Sequence, residues 1–132
     1  MIIESILMAR AAANKVLETK LAIKEVSGLH SHSGFGFGAK RSRYSDSVAS
    51  AVTLLDSLNK TLARQQKYAD VCQARMLEDL HKIPSTLTQQ VFLRREYDRC
   101  TWPVVSQRVG IGMQAAKMRY IRYLRQEKSN EG

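Results

Sequence analysis

Residues 87–125 read LTQQVFLRREYDRCTWPVVSQRVGIGMQAAKMRYIRYLR, and the fold class turns on this stretch. Leu87, Val91, Phe92 and Tyr97 recur at helical spacing after Pro84, a residue suited to a first helical turn. A turn is expected at Asp98–Cys100. Thr101 then reads as an N-cap, with Trp102 and Pro103 opening a short helix that ends at Gly110. Gly112 precedes a last helix from about Met113 to Lys128. Val104, Val105, Val109, Ile111, Ala116, Tyr120 and Leu124 supply a small apolar core. A short helix joined through a glycine turn to a second one predicts a helix-turn-helix unit. The second helix carries Lys117, Arg119, Arg122 and Arg125 against one acid, Glu127, near its end. A helix of this diameter fits the DNA major groove.

Upstream, the periodicity lengthens. Val48, Leu55, Leu62, Ala69 and Met76 fall seven apart from Tyr44 to about His81, and Ala51, Leu58, Gln65 and Cys72 fill the intermediate positions. So long and narrow a stripe predicts a coiled-coil or helical-hairpin seam. A first helix is expected from about Ile3 to Val26, with Ile2, Ile6, Ala9, Ala13, Val16 and Ile23 on one side. It is about fourteen residues shorter than the long helix, so it covers only part of the seam. A second copy of the chain is expected over the remainder, through Val48, Leu55, Leu58, Leu62, Ala69 and Met76. Between the helices, residues 27–43 (SGLHSHSGFGFGAKRSR) lose all apolar periodicity and read as a glycine-rich loop. The expected architecture is therefore all-α: residues 1–81 a helical hairpin and oligomerisation region, residues 82–132 a helix-turn-helix DNA-binding domain.

The 132 residues carry 21 Lys/Arg against 12 Asp/Glu, a net charge of +9. Residues 82–132 hold ten of the bases and only four of the acids, so the excess gathers where the last two helices lie. A chain this basic usually meets a polyanion, most often nucleic acid. An apolar fraction of 44% excludes a wholly disordered chain. No run of 18 apolar residues exists to span a bilayer, and the apolar N-terminal segment is broken by Glu4 and Arg10, which makes it a poor signal peptide. A cytoplasmic location follows as an expectation, with Cys72 and Cys100 as free thiols and Cys72 on the seam.

Other chemistries find little support. Gly34-Phe35-Gly36-Phe37-Gly38-Ala39-Lys40 lacks both the spacing of a phosphate-cradling P-loop and a preceding strand. Its two phenylalanines, with Lys40, Arg41 and Arg43, are compatible with stacking on bases, but a connector with a basic end is the simpler reading. His30, His32, His81, Cys72 and Cys100 show no metal-ligand spacing. Glu78–Asp79 and Glu96/Asp98 read as helix-surface charge, and no Cys-His or Ser-His-Asp set assembles. Neither an enzyme nor a cofactor is expected.

The stretch 87–125 also resembles the promoter-reading domain, region four, of bacterial sigma factors. The matching residues are Leu93, Arg94, Tyr97, Thr101, Val109-Gly110-Ile111 and Leu124. Gly112 stands where Ser or Thr usually caps the recognition helix, Ala115-Ala116 replace Thr-Val, and Pro103 takes a normally polar position. With the upstream pieces Ser27-Gly28, Ser45-Asp46-Ser47-Val48-Ala49 and Leu54-Leu55-Asp56, the order of parts over about residues 10–128 resembles phage late-gene transcription regulators of the RinA and ArpU kinds. That resemblance implies promoter DNA as ligand, activation of phage late genes in the host cytoplasm, and host RNA polymerase as partner.

The expected function is a sequence-specific regulator that binds double-stranded DNA as a homodimer or larger oligomer. Gln114, Lys117 and Met118 are expected toward base edges, and Arg108, Arg119, Arg122 and Arg125 on phosphates. Thr101, Trp102, Gln107 and Met113 complete the DNA-facing set. Two alternatives stand beside it: a small-terminase-like phage DNA-packaging protein, and an interaction protein that binds RNA polymerase and touches DNA weakly.

Overall fold

The computed structural model describes residues 1–33 and 41–131, with side-chain environments for residues 1–28 and 48–130. All regular structure among the described residues is helical: α1 (Ile2–Ser33), α2 (Arg41–His81), α3 (Thr86–Phe92), a π-helical turn (Leu93–Tyr97) that continues α3, α4 (Trp102–Val109) and α5 (Met113–Glu131). None of these helices is long and apolar enough to cross a membrane.

The expected loop 27–43 is corrected at both ends. α1 runs on through Ser27–Ser33, and α2 already begins at Arg41. Gly28 costs a helix about 1 kcal/mol relative to alanine but does not forbid it. Residues 34–40, with the Gly-Phe repeat and Lys40, lie outside the described residues. α1 is thus 32 residues long against 41 for α2, a smaller shortfall than the sequence suggested.

The chain forms two compact units, Met1–Ala11 with Val71–Gly132, and Ala12–Asp70. In the first, Ile2, Ile6 and Ala9 of α1 and Cys72, Met76 and Leu80 of α2 are buried. Ser5 is buried among them and donates its hydroxyl to Asp79. Burial pushes the Asp79 carboxyl up, but Ser5 and the Lys82 ammonium together hold it below the ordinary carboxylate value. Asp79 is therefore a buttress between helices rather than the surface charge expected. Glu127 of α5 accepts the Ile2 N–H at 2.9 Å, which places a carboxylate at the N-terminal end of α1.

In the second unit Ala12, Val16 and Thr19 are buried on α1. Val48, Ala51, Leu55, Leu58, Leu62, Gln65 and Ala69 of α2 are half-buried, while Val52 and Leu54 beside them stand exposed. The heptad stripe is thus the inward stripe. Its polar member finds a partner: the Thr19 hydroxyl donates to Gln65 Oε1 at 2.5 Å.

The rest of the first unit is built around Val91, Val105 and Ala116, with Cys100, Trp102, Val109, Ile111 and Tyr120 packed against them. α3 begins at Thr86, so Pro84 precedes the helix rather than standing in its first turn, and Ser85 is the N-cap that accepts the Thr88 N–H. The π-helical turn widens the backbone by one residue, so Asp98 N–H reaches Leu93 O, and the chain reverses through Arg99 at a left-handed φ of 57°. The turn expected at Asp98–Cys100 is where this reversal lies.

Candidate nucleic-acid interface

α4 and α5 are joined by a turn of three residues, Gly110 to Gly112. Gly110 takes a φ of 83° and donates its N–H to Ser106 O, closing α4 with a left-handed residue that glycine adopts without a Cβ penalty. The Ser106 hydroxyl donates to Ile111 O, and Gly112 O accepts the Ala116 N–H, so Gly112 opens α5. Thr101 stands at the N-cap position of α4, and its carbonyl accepts the Val105 N–H, but its hydroxyl makes no capping bond.

α5 has two opposed faces. Ala116 is buried, and Tyr120, Tyr123 and Glu127 follow it inward at spacings of four, three and four. Phe92, fully buried, stacks on Tyr120 at 4.7 Å between centroids and meets Tyr123 edge-on at 5.5 Å. Trp102 meets Tyr120 edge-on at 5.3 Å, and the Arg95 guanidinium lies over the indole at 4.8 Å. The Tyr120 hydroxyl donates to Glu96. Glu96 is buried and also pairs with Arg99 at 3.7 Å, so the residue read as surface charge is the polar anchor of this core. Burial first, and the Glu96 carboxylate second, push the Tyr120 phenol far above its ordinary value. Burial, then Glu127 and Asp79, raise Tyr123.

The opposite side of α5 presents Gln114, Met118, Ile121 and Arg125, again spaced four, three and four, and all are exposed. Arg122 is exposed beside this row, and Met113 is exposed at the helix start. Lys117 is half-buried on one flank. Arg119, half-buried on the other flank, donates to Ser85 Oγ at 3.1 Å. Between α5 and the start of α3 runs an open groove of about 520 Å³ lined by Ser85, Thr88, Gln114, Met118, Arg119 and Arg122 among others, with no carboxylate in its lining.

The remaining expected contacts fall elsewhere. Gln107 and Arg108 are exposed on α4, with Arg108 Nη1 at 3.7 Å from Cys100 Sγ. Trp102 is packed into the core described above, its ring occupied by Tyr120 and Arg95. Thr101 is exposed. Ile121 belongs to neither the apolar core nor the DNA-facing set read from the sequence. Only its place opposite Ala116 and Tyr120 reveals it as outward. Among the described residues, no three His, Cys, Asp or Glu side chains gather where a metal would bind.

No protein-family model matches the chain, and no curated protein or solved structure matches it.

Proposed function

We propose that the protein is a sequence-specific regulator of transcription that binds double-stranded DNA through a helix-turn-helix formed by α4 and α5, with α5 in the major groove. The observation that carries this reading is the division of α5. One side is committed to the aromatic core, and the other presents Gln114, Arg122 and Arg125. Glu127 of the same helix is turned inward onto Ile2 N–H. An outward side of amide and guanidinium groups suits both base edges and phosphates. The tight Gly110 turn supports the reading by leaving α4 beside the start of α5, where Gln107 and Arg108 add donors.

The resemblance to region four and to phage late-gene regulators supplies the context: the DNA is a promoter, the effect is activation, and RNA polymerase is the protein partner. Selection of duplexes from a random library tests the reading. A shared motif should emerge within a few rounds and should bind far more tightly than unrelated duplex. Recovery of no motif and no duplex affinity at low salt would overturn it.

A further inference from the structure

Met118 and Ile121 are large apolar side chains left 36% and 40% exposed in the middle of the outward row of α5. Single exposed apolar residues are ordinary on a protein surface. These two differ in where they stand. They are one turn apart on one face, with Gln114 before them, Arg125 after them and Arg122 alongside. Met118 and Arg122 also line the groove whose walls carry no carboxylate. An apolar pair within cationic surroundings fits a polyanion that itself presents apolar groups. In the DNA major groove that group is the C5-methyl of thymine.

On the DNA-binding reading above, we infer that Met118 and Ile121 are specificity-determining residues that pack on the methyl groups of two neighbouring thymines. The spacing agrees. Three residues of helix advance about 4.5 Å at 1.5 Å each, near the rise of about 3.4 Å per base pair. Gln114 and Arg125 then bracket the apolar step with polar contacts. The preferred site therefore contains consecutive thymine-bearing base pairs under the middle of α5.

The test replaces thymine by deoxyuridine, which removes the methyl and leaves every hydrogen-bonding group in place. Each thymine of the library-selected duplex is replaced singly, and affinity is measured for the wild-type protein and for Met118→Ala, Ile121→Ala and Met118→Leu. Wild type should lose about fourfold at each of two adjacent positions, the factor for one buried methyl group. Each alanine variant should become indifferent to uracil at one of those positions, while Met118→Leu keeps the discrimination. Both side chains are exposed, so circular dichroism should show unchanged helix content. If wild type binds all uracil duplexes as tightly as the parent, the methyl contacts are refuted and the DNA-binding reading survives. If wild type retains no duplex, the DNA-binding reading fails and this inference with it. If vesicles of acidic phospholipid are retained instead, through Met118 and Ile121, the outward row is a membrane-facing surface and both are overturned.

Discussion

Arg119 donates to Ser85 Oγ at 3.1 Å, and the same oxygen accepts the Thr88 N–H that caps α3. One of the four arginines expected on phosphates is therefore committed to tying α5 to the start of α3. Arg119→Ala should lower stability by about 1.5–3 kcal/mol, the range for a hydrogen bond involving a charged group, and should weaken duplex binding as well. Arg122→Ala and Arg125→Ala should weaken binding alone and leave thermal unfolding nearly unchanged. Parallel melting and binding curves separate the two classes. Equal stability loss in all three variants would show that the Ser85 tie has no special role.

Base reading and phosphate neutralisation leave different signatures. Gln114, on the outward row, should read a base edge, so Gln114→Ala should relax preference at one base pair by roughly 1–3 kcal/mol. Lys117→Ala should relax a second position, since its flank placement still lets a long side chain reach the groove. Arg122→Ala should instead weaken every sequence alike. With about four to six phosphates neutralised per chain, the plot of log affinity against log salt should fall with a slope of roughly −4 to −5. A slope near zero would remove the polyanion from the account.

The Tyr120–Glu96 contact makes a prediction in alkali. The folded protein holds the Tyr120 phenol protonated far above its ordinary value, through burial and then through Glu96. Its contribution to stability is complete below about pH 10 and is lost as pH rises through the folded-state value. Wild type should therefore lose melting temperature above about pH 10 more steeply than Tyr120→Phe, which is less stable at neutral pH because Glu96 loses a donor. Asp79 acts in the opposite sense. Its carboxyl is held low, so its contribution is present above the unfolded value near 3.9 and falls away in stronger acid. Identical alkaline slopes for wild type and Tyr120→Phe would refute the Tyr120 part.

Periodicity made the helices legible. The seven-residue repeat from Val48 to Met76 marks the inward side of α2, and Gly110 marks the end of α4. Polar residues in apolar company were not legible. Ser5, Thr19 and Glu96 belong to the interior only because Asp79, Gln65 and Tyr120 stand opposite them, and those partners lie far away in sequence. Trp102 is ambiguous for the converse reason: an aromatic ring after a helix cap suits a ligand as well as a core until its neighbours, here Tyr120 and Arg95, are known. The outward row of α5 is legible in three of its four residues, since Gln114, Met118 and Arg125 declare themselves and Ile121 does not. Residues 27–33 show the weakness of composition as a guide, because glycine and serine lower helix propensity without abolishing it.

The seam of the second unit leads to the last prediction. Val48, Leu55, Leu58, Leu62 and Ala69 are only half-buried within one chain, whereas Met76 and Cys72 of the first unit are buried. A row of half-covered aliphatic side chains at heptad spacing retains apolar area for a second copy to bury. The protein should sediment as a dimer or larger at micromolar concentration. Placing Asp at both Leu55 and Leu62 sets two charges on the seam without partners, at a cost of several kcal/mol if they stay buried. That variant should become monomeric. Its affinity for a single half-site should change little, because α4 and α5 belong to the other unit, while affinity for a duplex with two half-sites should fall far more. A mass of eight or more subunits would favour a packaging-type ring over a promoter-bound dimer. A wild type that is monomeric at micromolar concentration, with no preference for paired half-sites, would mean that α1 alone serves the seam.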